Sequence, residues 1–418
     1  MNHDDEVRLI TGFLDHHARR ESIKAGAVTT VSVDAYRSPQ IHRAEREALF
    51  RGRPQFIGLS ADLPGPGTFC TRADLVVPTV LTRDEAGRAR AFANVCRHRG
   101  AEVARGRGDA RQLSCPYHAW TYGLDGTLRR IPDAEAFPDV DPACHGLKEL
   151  PLIERHGMLW VLPDPAAAET ESGEGALGLG PHDLGLAGLE AELAQLELGT
   201  FTWWRSERLE LDLNWKLVIE TFLEPYHFAS LHRITVGPYF LANLCSVEQF
   251  GDHAREVLPR RTMLDLAGTP TEQWRLLPHA VLVHVLFPGT AFVWLLDHIE
   301  TWRVTPHPTD PNRCVTELDF YLPAQNDRPE EYWEKNWAQT ITTVLTEDFP
   351  AMAGVQRGLD SGANTHFTVG RNEPALALFQ QAVARGIAGH AVPPIQASDE
   401  APDEPSVEPK VGGSAPCR

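Results

Sequence analysis

The feature that most constrains this 418-residue chain is a pair of short motifs, each with one cysteine and one histidine. The first motif is Cys96-Arg97-His98, and the second is Cys115-Pro116-Tyr117-His118. Structural zinc motifs usually group their ligands by type, two cysteines followed by two histidines, whereas each half here carries one of each. The pattern therefore favours a metal centre with two thiolate and two imidazole ligands, and a structural zinc site is the alternative.

This ligand order is typical of a Rieske [2Fe–2S] cluster, in which one iron keeps two thiolates and the other takes two imidazoles. The two imidazoles raise the reduction potential into a range that suits the transfer of single electrons. We therefore predict that the cluster ligands are Cys96, His98, Cys115 and His118. A zinc-stapled scaffold would instead be colourless.

The composition limits the class of protein and its partners. The net charge of −18 argues against nucleic acid or an anionic membrane as a partner. No run approaches the roughly 20 apolar residues of a membrane span, and the acidic start at residues 1–6 does not resemble a signal peptide. The seven cysteines are scattered and odd in number, so a disulfide framework is not expected. A cytoplasmic protein is predicted.

Hydrophobic patterning and Gly/Pro punctuation divide the chain into a mixed α+β arrangement. Short apolar runs at 79–82, 91–95 and 159–162 predict a small all-β domain with both motifs in its loops. Four longer runs, at 280–287, 290–296, 299–305 and 314–322, predict an antiparallel meander that a helix over 330–349 follows. The predicted units are an N-terminal helical segment that packs on the catalytic domain (1–39), the cluster domain (40–163), a flexible connection (164–182), the catalytic domain (183–390) and a disordered tail (391–418).

A second metal site is indicated downstream, because a single-electron carrier needs a place to deliver its electrons. Glu224, His227 and His232 lie close together in the sequence. Non-haem iron oxygenases hold Fe(II) with two histidines and one carboxylate on one face, which leaves the other positions open. His227 and His232 are separated by about 140° on an ideal helix, so both can bind one metal only if the helix is distorted. Pro225 offers a cause for that distortion.

The third ligand is predicted to come from the helix over 330–349. Asp348 lies about 20° from Trp337 and Ile341 on the apolar stripe of this helix, whereas Glu347 points well away from it. A carboxylate on a buried stripe is costly unless it is paired or binds a metal. Asp348 is therefore the predicted ligand, and a helix-end aspartate before Phe349 and Pro350 is the alternative.

The residues quoted so far, with the flanking segments 94–100, 115–122 and 214–216, resemble the catalytic α subunit of the Rieske non-haem iron oxygenases, the ring-hydroxylating oxygenase family. The resemblance covers about residues 36 to 390. It implies a helix-grip, START-like catalytic fold, with an antiparallel sheet around a long C-terminal helix and a mononuclear Fe(II) between them. It also implies a homotrimer, with or without a small β subunit.

By the same resemblance, electrons cross from His118 of one chain to Glu224 of the adjacent chain and then to His227, so Glu224 is the predicted catalytic bridging residue. Many ring dioxygenases have aspartate at this position, and similar enzymes that act on quaternary amines have glutamate. A GxGxxG match at 173–178 follows no strand and is not interpreted as a dinucleotide site. The electrons must then come from NAD(P)H through a separate reductase, with or without a ferredoxin.

The resulting prediction is the oxygenase component of a multicomponent system. It would use O₂ for mono- or dihydroxylation, or oxidative demethylation, of a small aromatic or quaternary-amine substrate. The alternative is a Rieske-type electron carrier or START-like ligand-binding protein without oxygenase activity. Five residues of the meander and the iron segment are candidates to line the substrate pocket, with Trp294 as an aromatic face for a cation, and plain core packing is the alternative for each: Phe222, His284, Phe287, Phe292 and Trp294.

Overall fold

The computed structural model describes residues 1–164, 184–186 and 188–388. The predicted disordered tail (391–418), the GxGxxG match and all but the first residue of the predicted connection (164–182) lie outside these ranges. None of the helices within the described ranges is long and apolar enough to cross a membrane.

The N-terminal segment is helical and packs on the larger, C-terminal part of the molecule. Its first helix buries Leu9, Ile10 and Phe13 against residues of the catalytic sheet, and Asn2 caps this helix by accepting a hydrogen bond from the Asp5 backbone N–H. The elements are α1 (His3–Arg19), β1 (Thr29–Ser32), α2 (Asp34–Arg37), α3 (Pro39–Glu45) and a π-helical segment (Arg46–Arg51).

One predicted boundary differs in the structure. Ile41, Leu49 and Phe50, which the sequence analysis placed in the cluster domain, are buried in the core of the catalytic domain. The apolar face of α3 and the π-helical segment covers that core, and the first strand of the cluster domain begins only at Gln55. Helical periodicity, rather than the position of the first strand, decides where these residues pack.

The cluster domain consists of three small antiparallel sheets, with strand orders β10-β5-β4-β3-β6, β11-β12-β2 and β7-β8-β9. The first cysteine–histidine motif follows β5, and the second lies in the loop between β7 and β8. The strands are β2 (Gln55–Leu59), β3 (Thr68–Arg72), β4 (Thr79–Arg83), β5 (Ala89–Ala93), β6 (Arg107–Asp109), β7 (Gln112–Ser114), β8 (Thr121–Gly123), β9 (Leu128–Arg130), β10 (Glu149–Leu150), β11 (Leu152–Arg155) and β12 (Met158–Val161).

The catalytic domain is built on a seven-stranded antiparallel sheet of order β13-β19-β18-β17-β16-β15-β14. The predicted meander is present as its four strands β16 to β19. The elements are α4 (Glu190–Gln195), β13 (Phe201–Leu211), α5 (Trp215–Glu220), β14 (Ser246–Phe250), β15 (His253–Pro259), β16 (Ala280–Leu286), β17 (Thr290–Leu295), β18 (His298–Pro306) and β19 (Cys314–Pro323).

Helices cover one face of this sheet. Trp333 and Trp337 pack with Trp302 and Phe320 of the sheet in the largest buried core. The predicted helix over 330–349 runs on to Ser361 with a π-helical turn in its middle. Pro350 cannot donate the next backbone hydrogen bond, which accounts for a widened turn just before it. The elements are α6 (Glu330–Thr343), the π-helical turn (Val344–Asp348), α7 (Phe349–Ser361), β20 (His366–Val369), which pairs with β1, and α8 (Pro374–Ile387).

A buried ion network joins the cluster domain to the opposite face of the sheet. Arg72 of β3 lies 2.8 Å from Asp62 and 3.9 Å from Asp319 of β19. Arg303 of β18 also pairs with Asp319, and its Nε lies 3.3 Å from Asp74. All five side chains are almost fully buried, so each charge depends on its partners for compensation. The network fixes the cluster domain against the sheet.

Candidate active site

The four residues of the two motifs lie at one edge of the cluster domain. Cys96 and Cys115 are buried free thiols, whereas His98 is half-buried and His118 is exposed. The two imidazole rings are 4.6 Å apart, and Trp120 stacks on His98 at 5.1 Å with an interplanar angle of 7°. The two loops therefore bring both thiols and both imidazoles to one end of the domain.

The chemistry of these side chains fits an iron–sulfur cluster. His98 Nδ1 is buried without a hydrogen-bond partner in the described part of the chain, which is costly unless the lone pair serves another purpose. Tyr122 Oη lies 3.3 Å from Cys96 Sγ and accepts a hydrogen bond from the Arg97 backbone N–H at 3.0 Å. Its own proton is thus free to point at the sulfur. A buried imidazole nitrogen and buried thiols, one of them hydrogen-bonded to Tyr122, suit a cluster with both ligand types.

The second group forms where the chain leaves the short helix α5. The segment is not the distorted single helix that the sequence predicted: α5 ends at Glu220, and His227 lies on a short 3₁₀ turn (Tyr226–Ala229) that Pro225 precedes. His232 follows in irregular turns. Because the chain is not helical between the two histidines, their spacing of five residues does not keep them apart.

His227, His232 and Asp348 each present a ligand atom within 4.8 Å of the others. Asp348 Oδ1 lies 3.6 Å from His227 Nε2 and 3.1 Å from His232 Nε2. The two imidazole rings are 4.9 Å apart and inclined by 70°. Two histidines and one carboxylate that converge from one side form the facial donor set that non-haem Fe(II) prefers.

A glutamate holds the other nitrogen of each of these histidines. His227 Nδ1 lies 2.5 Å from Glu224, and His232 Nδ1 lies 2.5 Å from Glu347. Glu347 also accepts a hydrogen bond from the Thr235 hydroxyl at 2.7 Å. Carboxylates in these positions select the tautomer whose Nε2 carries a lone pair for a metal.

The contact of Glu347 with His232 was not predicted from the sequence. An ideal α-helix turns Glu347 away from the buried stripe, but the π-helical turn changes the angle between successive side chains, so Glu347 and Asp348 both face the histidines. Two adjacent acids beside a predicted ligand, just before Phe349-Pro350, were the only available signal. A carboxylate partner for each metal-binding histidine is a common arrangement and could have been sought on that ground.

The carboxylates also set the electrostatics of this group. Burial lowers the pKa of His232, but hydrogen bonds from its ring to the carboxylates of Asp348 and Glu347 outweigh burial, and the net effect raises the pKa. The site thus gathers negative charge around two imidazoles. This negative charge favours the binding of a proton or, in its place, of a metal cation.

A cavity of about 480 Å³ opens beside the three converging residues. Its sheet side is mostly apolar but includes His298 and Glu300, and its helix side is formed by α6 and the π-helical turn. The sheet contributes Leu258, Val281, Val283, Val293, Leu295, Glu300 and Trp302, and the helix side contributes Tyr332, Asn336, Thr340, Thr343 and Val344.

Of the five predicted pocket residues, only Phe222 lines this cavity. The side chains of His284, Phe292 and Trp294 lie on the opposite face of the sheet, where His284 binds Glu192 and Phe292 packs near Phe56. Phe287 packs with Phe379 in the core. Side chains alternate between the two faces of a strand: in β17, Val293 and Leu295 face the cavity, whereas Phe292 and Trp294 do not. Trp302, rather than Trp294, supplies the indole.

Comparison with known proteins supports the same interpretation. Residues 53–151 match the family model of the Rieske [2Fe-2S] domain, and residues 198–389 match that of the ring hydroxylating alpha subunit (catalytic domain). The carnitine monooxygenase oxygenase subunit of Acinetobacter baumannii is 30% identical over 365 residues, which cover 84% of this chain and 92% of that protein. The chloroplastic choline monooxygenase of Spinacia oleracea is 26% identical over 334 residues, 78% of this chain and 71% of that protein.

The fold is shared with solved structures. The crystal structure of a quaternary ammonium Rieske monooxygenase in complex with L-carnitine gives a TM-score of 0.70 at 22% identity, with 86% of this chain and 95% of that chain covered. The fold and the matched domains define an oxidoreductase of the Rieske mono- or dioxygenase class. The chain belongs to the ring-hydroxylating oxygenase α subunits, as the sequence predicted.

Family membership confirms the predicted cofactors, a Rieske [2Fe–2S] cluster and a mononuclear iron. It also confirms the general function: the chain is the oxygenase component of a multicomponent system that acts on a small molecule with O₂ and a separate reductase. The alternative of a carrier without oxygenase activity is not favoured.

Proposed function

We propose that His227, His232 and Asp348 bind the mononuclear iron, and that the cluster is held by Cys96, His98, Cys115 and His118. The observation that carries the iron assignment is the convergence of His227 Nε2, His232 Nε2 and Asp348 within 4.8 Å of one another. The buried, unpartnered Nδ1 of His98 supports the cluster assignment.

When bound, the cluster supplies single electrons and the iron supplies the reductive activation of O₂. The residues of this chain supply orientation and exclusion of water. Glu224 and Glu347 each keep a proton on the Nδ1 of a histidine, so both Nε2 atoms remain free to bind metal. The valine- and leucine-rich sheet face excludes bulk water from the opposite side of the cavity.

Electron transfer between subunits is part of the same proposal. Glu224 holds His227 at the iron site, and His118 is exposed at the edge of the cluster domain. A neighbouring copy that docks its His118 against Glu224 would connect the cluster of one chain with the iron of the next. A homotrimer closes this arrangement symmetrically. The proposal includes a cytoplasmic location, where NAD(P)H is available to the reductase.

The substrate we propose is a small quaternary amine that is oxygenated at a carbon near its cationic nitrogen. Glu300 supports this choice, because it is a buried carboxylate, 5% exposed, among mostly apolar side chains of the cavity wall, with His298 Nε2 3.5 Å away. Trp302 Nε1 donates to it at 3.0 Å and Thr340 Oγ1 at 2.7 Å, so its position is fixed. A fixed carboxylate beside an indole is suited to a trimethylammonium group. Carnitine and choline, named in two relatives, both carry that group.

The reaction balances as a monooxygenation. A substrate C–H bond is oxidised to C–OH, one oxygen atom of O₂ enters the product and the other leaves as water. Two electrons come from the reductase and two protons from solvent.

The test is product analysis with the purified holoprotein, a surrogate reductase and NADH, using L-carnitine, choline and naphthalene as substrates. We expect oxygenated product from an ammonium compound and iron for one cluster plus one mononuclear site in each chain. Iron for the cluster alone, with no product, would support an electron carrier instead. Product from naphthalene only would contradict the proposed substrate class.

A further inference from the structure

The cavity follows helix α6 lengthwise, so its two ends are far apart. Tyr332 and Asp348 both line it and are sixteen residues apart, which corresponds to about 24 Å along a helix. Thr340, whose hydroxyl binds Glu300, lies midway between them. Glu300 therefore marks the middle of the cavity, and Tyr332 marks the end away from the proposed iron ligands.

Arg260 lies at that distant end. It directly follows β15 and lines the cavity together with Tyr332 and Asp297, which belongs to the turn between β17 and β18. Arg260 Nε is buried and has no hydrogen-bond partner within the described residues. Burial lowers the pKa of Arg260, and the nearby Asp297 and Tyr332 raise it only in part. With so high a normal pKa, the guanidinium keeps its charge.

The nearest acid does not satisfy this guanidinium. One oxygen of Asp297 lies 2.7 Å from His298 Nδ1, and the other accepts a hydrogen bond from the hydroxyl of Tyr332. Asp297 is thus already engaged on both oxygens. A half-buried guanidinium with an unmet Nε–H costs free energy unless an anion binds there, and its planar fork matches a carboxylate.

Apart from Asp297 and the acids beside the proposed iron ligands, the charged residues that line the cavity are Glu300, Arg260 and the exposed Lys335. Glu300 provides a negative charge at the middle, and Arg260 provides a positive charge at the distant end. Asp297, which acts on Arg260, is three residues from Glu300, so these two carboxylates lie within about 10 Å of each other along the strand direction. That order matches a zwitterion whose cationic nitrogen lies nearer the iron than its carboxylate.

We propose that Arg260 binds the carboxylate of the substrate, so that the enzyme prefers trimethylammonium carboxylates to trimethylammonium compounds without an anionic end. This inference rests on the proposed function and narrows its substrate class. Arg260 acts as a specificity-determining residue, and nothing in the oxygenation chemistry itself requires it.

The experiment compares L-carnitine with its methyl ester, which keeps the trimethylammonium group and removes only the negative charge. Holoprotein with reductase is used to measure kcat/KM for both compounds, and calorimetry under argon gives their Kd values without turnover. The wild type should favour L-carnitine by about 10- to 100-fold, the range expected for a hydrogen bond to a charged group. Arg260→Ala should lower kcat/KM for L-carnitine by that factor and bring the ratio near one, and Arg260→Lys should restore part of the preference.

The matched control is Arg261→Ala, which removes the same charge from the next residue, an exposed side chain outside the cavity. This variant should keep the wild-type preference, and the visible absorption of the cluster should be the same in all variants. Equal kcat/KM values for L-carnitine and its ester in the wild type, or an unchanged ratio in Arg260→Ala, would overturn this inference alone. No product from L-carnitine, its ester or choline would overturn the proposed function and this inference with it.

Discussion

The two histidine pairs of this molecule are held in opposite ways. His227 and His232 each have a glutamate on Nδ1, at 2.5 Å in both cases. His98 and His118 have no carboxylate partner among the described residues, and their edge of the cluster domain is open. Tyr117 beside them is 56% exposed. The histidines of the proposed iron site are thus oriented from within the chain, while those of the proposed cluster site lie at an open edge of the domain.

The difference follows from what each site has to do. A site whose metal keeps open coordination positions needs rigid ligands, because those positions must stay free for O₂ and substrate. A site that passes on an electron needs an accessible edge, because the transfer partner approaches from outside. The missing partner of the cluster histidines is therefore expected on another polypeptide, consistent with the trimer that we propose.

The largest effect on the difference between the two sites is expected for His227→Ala. We expect oxygenation to fall below detection and the mononuclear iron to be lost, because a facial site with two ligands holds iron poorly. The cluster should remain, since its ligands lie in a separate domain. Iron analysis, visible absorption and product yield measure the three effects. His366→Ala, which removes an exposed histidine of β20, is the matched control and should retain all three properties.

Loss of the visible absorption in His227→Ala would contradict the separation of the two sites. Full oxygenation would contradict the ligand assignment.

Glu224→Gln tests the proposed link between the two sites. The amide keeps the size of the side chain and its contact with His227, but removes the charge. We expect both metals to remain and turnover to fall by about 100-fold, the upper range for a partner of a metal-binding histidine. In stopped-flow measurements, electron transfer from the reduced cluster to the mononuclear iron should slow by the same factor.

Glu207→Gln, on an exposed position of β13, is the control for the loss of one surface charge. Wild-type electron transfer in Glu224→Gln would remove Glu224 from the proposed relay.

All four proposed cluster ligands could be identified from the sequence, because they come from two local motifs whose spacing carries the chemistry. Asp348 could also be predicted, since its place on a buried helical stripe survives the π-helical turn. Glu347 could not, because that turn changes the direction of side chains by an amount the sequence does not state. The cavity wall was misassigned because Trp294 and Val293 are adjacent residues on opposite faces of one strand.

Glu347→Gln tests the same difference at a single histidine, because it weakens the hydrogen bond that orients His232 from within the chain. A glutamine can still contact His232, but it is a weaker acceptor than a carboxylate. We expect the affinity for the mononuclear iron to fall by about 10-fold, with the cluster unaffected. Competition with a chelator, followed by iron analysis, measures this loss. Glu331→Gln, at an exposed position near the start of α6, should behave as wild type. Equal iron retention in the two variants would show that Glu347 does not position His232.

The smallest expected effect concerns the cluster, where the nearest support is a hydrogen bond to sulfur. The backbone N–H of Arg97 donates to Tyr122 Oη at 3.0 Å, which leaves the hydroxyl proton to point at Cys96 Sγ, 3.3 Å away. Such a bond stabilises the more negative, reduced cluster, so Tyr122→Phe should lower the reduction potential. A hydrogen bond worth about 1 kcal/mol corresponds to about 40 mV for one electron. Potentiometric titration of the cluster absorption measures this shift. Tyr117→Phe, at the exposed edge, should leave the potential unchanged, and an equal shift in both variants would mean that the sulfur contact of Tyr122 does not set it.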